Sequence, residues 1–117
     1  MTKFNRGDIV LVVFPDSNLR TAKRRPALVV QADNLKTGLS QLIVAMITSN
    51  LKRAGHASRI LVERQTTVGE KSGLLTDSVI MTDNLATVRL SQIDRVLGAW
   101  SDTAALNAAL CHTLEIR

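Results

Sequence analysis

Lys23-Arg24-Arg25-Pro26-Ala27-Leu28-Val29-Val30 is the stretch that decides the fold. It opens on three cations and then turns apolar, so a charged approach runs straight into a buried strand. Pro26 lacks a backbone donor and keeps the residue before it extended, which aims Arg25 away from the sheet at a set angle. A guanidinium never loses its charge and presents a fork of donors that matches a phosphate. The pattern places an aimed, phosphate-compatible cation at the mouth of a strand.

Downstream, Pro26 to Gln31 reads as one strand and Gln41 to Ser49 as the next, joined through Ala32 to Gly38. A hairpin centred on Lys36-Thr37 makes paired residue numbers sum to 73, so Leu28 faces Ala45, Val30 faces Ile43 and Arg25 faces Thr48. One side of this ribbon collects Pro26, Leu28, Val30, Ile43, Ala45 and Ile47. The other carries Ala27, Val29, Val44 and Met46 and ends at Arg25 and Thr48. A one-residue slip would exchange the two sides and turn Arg25 inward. Both sides are apolar, so the second needs a cover, either a helix or another subunit. Directly opposed residues hold their Cβ atoms about 4.5–5.5 Å apart. A cation and a hydroxyl then meet at the ribbon's end, and Arg25, Thr48 and Ser49 are candidates to hold a scissile phosphate.

The rest of the chain reads as short strands with turns between them. Ile9 to Phe14 is apolar and β-branched, and Pro15 to Arg24 is a polar loop without periodicity. A second basic loop, Asn50 to Ser58, contains Gly55 and His56. Arg59 to Glu63, Ser78 to Val88 and Arg95 to Trp100 are further strands, with one helical turn at Leu90 to Ile93. Ser101 or Asp102 caps a final helix whose apolar stripe is Leu106, Leu110 and Leu114, flanked by Ala105 and Ala109. Residues 1–117 therefore form one domain, mainly β with a C-terminal helix, as a small, strongly bent sheet or open barrel.

Composition narrows the function. No apolar run reaches the ~18 residues of a membrane span, and the opening residues lack the apolar region of a secretory signal. Cys111 is the only cysteine, which fits a reducing cytoplasm. Cys111 and His112 adjoin but His56 stands far from them in sequence, which gives no metal-ligand spacing, so no metal or cofactor is expected. Between Arg20 and Arg64 stand nine basic residues against two acids, whereas the remainder holds six basic and eight acidic ones. That concentration is expected of a face that binds a polyanion. With only Phe4, Phe14 and Trp100 as aromatics, a base-stacking platform is not expected. Arg20, Lys23 and Arg24 are read as loop contacts to a nucleic-acid backbone, joined by Lys52, Arg53 and His56 from the second basic loop. His56 as a surface histidine and the cations as a solvated face are the plainer alternatives.

Four blocks, Gly7-Asp8-Ile9-Val10, Arg25 to Gln31, Ile43 to Ser49 and Asp77-Ser78-Val79-Ile80, follow in the order seen in the MazF/PemK toxin family. The chain resembles that family from about Arg6 into the C-terminal helix. The resemblance implies a small SH3-like barrel of the CcdB/MazF/PemK toxin type and a cytoplasmic homodimer. It also implies a cognate antitoxin and metal-independent cleavage of single-stranded RNA at short sequences. Arg25 matches the family's catalytic arginine and Thr48 its catalytic threonine. Asp83 corresponds to an acid that serves some members as general base, and the alternative for it is a strand-end cap of the turn. Two basic residues of some members are missing, with Met81 at one place and Ala86-Thr87-Val88 at the other.

The antitoxin expected on charge grounds carries an acidic tail that lies across the basic segment. A second function class is a non-enzymatic toxin on the same scaffold, either a gyrase poison or an RNA binder that does not cut. A gyrase poison of this fold relies on a terminal tryptophan, whereas this sequence closes on Leu114-Glu115-Ile116-Arg117.

Overall fold

A computed structural model describes residues 3–15 and 18–117. Six strands form one antiparallel sheet in the order β4-β5-β3-β2-β1-β6. They are β1 (Asp8–Pro15), β2 (Ala22–Val29), β3 (Gln41–Thr48), β4 (Arg59–Val62), β5 (Ser78–Arg89) and β6 (Ile93–Ala99). Two helices, α1 (Thr67–Lys71) and α2 (Thr103–Leu114), and 3-10 turns at Leu51–Arg53 and Leu90–Gln92 complete the chain. The expected barrel is not closed: β4 and β6 remain edges.

The register anticipated for the central hairpin holds over its core, where Ala27 pairs Met46, Leu28 pairs Ala45 and Val29 pairs Val44. Both faces of the ribbon are buried. Ile9, Leu28, Ala45, Ile47, Ile80, Trp100 and Leu106 share one cluster, and Val10, Val12, Ala27, Val29, Val44 and Val88 share the other. Helix α2 covers the first cluster through Leu106 and Leu110. The second is closed by β1 and β5 of the curling sheet itself, with Phe4, Phe14 and Ile93 packed around it.

Three expectations need correction. Strand β2 begins at Ala22, so Lys23, Arg24 and Arg25 sit on a strand, opposite Phe14, Val13 and Val12 of β1. Pairing with β1 draws these cations into the ladder although their side chains stay exposed. Asp16 and Ser17 of the expected loop lie outside the described residues. Helix α1 falls between two expected strands; the Thr66 hydroxyl caps it by accepting the Gly69 N–H at 3.0 Å. On α2 the seam is Leu106, Ala109 and Leu110, while Leu114 is 52% exposed. Its place beside the sheet goes to Thr113, whose hydroxyl bonds that of Thr82 at 2.7 Å.

Two irregularities interrupt the ladders. Strand β3 pairs Ala45 with Leu85 and then Met46 with Met81, so Thr82, Asp83 and Asn84 are extra on β5 and the strand bends there. Strand β6 carries two bulges against β1: Ile9 pairs Gly98 and Val10 pairs Val96, then Leu11 pairs Arg95 and Val12 pairs Ile93. The extra residues are Leu97 and Asp94.

Candidate functional site

Pro26 opens the site. It pairs Leu11 of β1, yet the ladder from β2 to β3 begins only at Ala27. A proline has no N–H to give to β3, so the two strands separate on its N-terminal side. Ile47 and Thr48 meanwhile stay paired to Ile80 and Val79 of β5. Arg25 and Thr48 are therefore not ladder partners; a cleft opens where the symmetric register placed them face to face.

That cleft has a volume of ≈ 490 Å³, and both Arg25 and Thr48 line it. Its floor is apolar apart from Arg95. Leu11 pairs both Pro26 and Arg95, so these three project from one face of adjacent strands, and all three line the cleft. Strand alternation sends Arg25, which pairs the buried Val12, to the other face. Arg25 thus borders the cleft at its rim.

The far wall is the segment Gly73 to Thr76 after α1. Gly73 has φ +72, and a Cβ there would lie 2.0 Å from the Leu97 carbonyl oxygen. On the facing strand, a Cβ on Gly98 would meet the Lys71 carbonyl oxygen at 2.4 Å. Only this pair of glycines lets the wall lie flat against β6. Sequence reading missed the wall, because its signal, two glycines twenty-five positions apart, has no local pattern.

The polar groups are specific. Thr48 Oγ1 accepts the Asn50 N–H at 3.1 Å, which leaves its own hydrogen to donate. Ser49, Thr76 and Ser78 add hydroxyls, and Arg24, Arg25 and Arg95 add charge. Among the described residues lining the cleft there is no carboxylate and no histidine. The Arg24 Nε lies 3.7 Å from the Asp94 carboxylate. A hollow of ≈ 480 Å³ lies under the β2–β3 connection, where Asp33 accompanies Lys3 and Lys36. Its Asp33 carboxylate already accepts the Arg6 N–H at 2.7 Å.

The other sequence-predicted site residues disperse. Ser49 and Arg24 line the cleft; Arg20, Lys23, Lys52, Arg53 and His56 are exposed and do not. Lys52 and Arg53 sit in the 3-10 turn that follows β3, with Asn50 Oδ1 accepting the Lys52 N–H at 3.2 Å. His56 Nδ1 accepts the Ser58 N–H at 3.0 Å, and its ring meets His112 edge-on with centroids 5.9 Å apart. Asp83 lies on the β5 bend outside the cleft, gripped by Arg59 through Nη2 at 2.9 Å and Nε at 3.4 Å. That hydrogen bonding holds its carboxyl below the usual carboxylate range and raises Arg59. A carboxylate so engaged is a weak base. Among the described residues no three His, Cys, Asp or Glu side chains converge as a metal site.

An open six-stranded antiparallel sheet with a C-terminal helix and a basic cleft at the β2–β3 split invites comparison with known proteins. The chain matches the family described as PemK-like, MazF-like toxin of type II toxin-antitoxin system over residues 5–114. It belongs to the PemK/MazF toxin family. Among solved structures, a mycobacterial endoribonuclease in complex with its cognate antitoxin aligns with a TM-score of 0.74, over 98% of each chain at 17% identity. The Mycobacterium tuberculosis toxin MazF-mt6 gives a TM-score of 0.69 at 22% identity, over 92% of this chain and 98% of that one. A MazE-MazF structure from Deinococcus radiodurans gives 0.72 at 17% identity over the whole of both chains. At such identities the likeness establishes the MazF fold. Comparison with curated proteins finds no match. Toxins of this family are RNases. Among the described residues no helix is long and apolar enough to cross a membrane.

Proposed function

We propose that this PemK/MazF toxin is a metal-independent, sequence-specific endoribonuclease acting on single-stranded RNA in the cytoplasm. The observation that carries the reading is the cleft itself: Arg25 and Thr48, far apart in sequence, border one basic hollow free of carboxylates among the described residues. The 2′-hydroxyl loses its proton to solvent and attacks the adjacent phosphorus; the O2′–P bond forms, the P–O5′ bond breaks, and the leaving O5′ takes up a proton. A 2′,3′-cyclic phosphate and a 5′-hydroxyl remain. Because the nucleophile is part of the substrate, no metal-bound hydroxide is required. Arg25 stabilises the charge on the phosphorane, and the free Thr48 hydrogen donates to a non-bridging oxygen. Ser49 is a further RNA contact, and Arg20, Lys23, Lys52, Arg53 and His56 draw the strand toward the cleft. Asp83 has no part, because Arg59 holds it elsewhere.

A second reading has one observation in its favour. Among the described cleft-lining residues none titrates near neutrality to accept the 2′ proton. On that reading the chain binds RNA and leaves it whole.

The protein works as a homodimer and is neutralised by an antitoxin whose acidic tail covers the cleft, so their association weakens with salt. Incubating the purified chain with mixed-sequence single-stranded RNA in excess chelator, then mapping both ends, tests the proposal. Cleavage predicts 5′-hydroxyl and cyclic-phosphate ends at a recurrent short sequence. RNA retained but intact selects the second reading, and cutting only after Mg²⁺ is restored overturns metal independence.

A further inference from the structure

Three guanidinium groups line the cleft, and they are not equivalent. Arg24 faces the Asp94 carboxylate, which the β6 bulge pushes out toward it. Among the described residues the side chains of Arg25 and Arg95 make no hydrogen bond and no ion pair. Two uncompensated cations thus remain at one hollow, one on its rim and one on its floor.

Their separation follows from the ladder. Arg95 pairs Leu11, and Leu11 pairs Pro26, the neighbour of Arg25. Adjacent strands lie about 4.8 Å apart, so two steps put the backbones of Arg95 and Arg25 about 10 Å apart across the cleft. Arg95 leaves from the floor face and Arg25 from the opposite face at the rim, and both line the one opening. Thr48 and Ser49 lie on the β3 side of the same opening. The same bulge that brings Asp94 to within 3.7 Å of Arg24 sets Arg95 opposite Leu11, so one irregularity gives one cation an exposed partner and presents the other.

We infer that Arg95 is a second phosphate ligand, binding the backbone phosphate next to the one that Arg25 and Thr48 address. The assignment rests on the proposed action on RNA. Arg95 does no bond-making; it holds the strand in register across the cleft and so fixes which linkage reaches Thr48. Arg24, partly neutralised, contributes less.

The test uses the full chain and a mixed-sequence 2′-O-methyl RNA oligomer, which lacks the nucleophile and stays uncut. Its dissociation constant is measured across a range of salt concentrations for the parent, Arg95→Ala, Arg95→Lys and Arg117→Ala. Removing one phosphate contact should flatten the salt slope by about 0.7 for a single strand. Arg95→Ala is expected to show that flattening and to bind several-fold more weakly. Arg95→Lys should recover the slope, and Arg117→Ala, remote from the cleft, should match the parent.

A parent-like slope and affinity in Arg95→Ala overturns the assignment. The two ideas separate cleanly. If the parent binds the oligomer with a slope that Arg95→Ala flattens, but cuts no natural RNA, cleavage fails and Arg95 stands. If the parent cuts natural RNA and Arg95→Ala keeps the parental slope and affinity, only the Arg95 assignment fails. If the parent binds no RNA, both fall. A melting curve for each variant shows whether the protein is folded under the binding conditions.

Discussion

Thr48 lines the cleft and its oxygen accepts the Asn50 N–H, which leaves its hydroxyl hydrogen free to donate. Replacing it by valine keeps the shape and removes the donor. Thr48→Val is expected to lower the cleavage rate about 10²–10³-fold, the usual loss for one preorganised donor. Substrate binding should change far less, and single-turnover kinetics separates the two.

Asp83 provides the contrasting case. Its carboxyl is held low by Arg59, so the pair's contribution to stability is complete above the unfolded carboxylate value of about 3.9. It disappears as the pH falls through the lower folded value. Asp83→Asn is expected to melt earlier than the parent at neutral pH, with the gap closing in acid; melting curves across pH 2–7 check this. The same variant should cut RNA within a few-fold of the parent, whereas loss of a true general base removes about 10²–10⁴-fold.

At the scale of elements, the wall of the cleft depends on a backbone approach that no side chain tolerates. Gly73→Ala combines a left-handed φ with a Cβ driven into the Leu97 carbonyl. It should destabilise the fold by about 1–3 kcal/mol or more by denaturant titration. The bend of β5 is tied down by Thr82, whose hydroxyl bonds the Ser58 carbonyl at 2.6 Å and approaches the Ala109 carbonyl at 3.3 Å.

These elements differ in how far they could be read from residues alone. The central hairpin was legible because Leu28, Ala45, Val44 and Val29 alternate around a symmetric turn, and a one-residue slip would have turned Arg25 inward. Helix α1 was not, because five residues containing Gly69 carry no period and its cap, Thr66, looks like any loop threonine. The cleft was half legible. Arg25 and Thr48 were singled out by the hairpin and the family resemblance, although they border a cleft rather than pair in the ladder, and Arg95 depends on two bulges of β6 against β1. The strand-like alternation around Asp83 gave no hint that Arg59 would claim it.

For the whole molecule, the Arg20–Arg64 segment carries the positive excess of the sequence and brings two of its cations, Arg24 and Arg25, to an opening in a sheet whose two faces carry apolar clusters. On the proposed function, charge brings RNA to the surface, and the split between β2 and β3 at Pro26 gives it a place to enter. The central claim is that a linkage lodged there is broken by its own 2′-hydroxyl. It is tested most directly by taking an RNA cut at one known position and placing a single 2′-deoxynucleotide on the 5′ side of that linkage. The account predicts that cleavage stops at that position while sites elsewhere in the same strand are still cut. Undiminished cleavage of the deoxy-substituted linkage would contradict it.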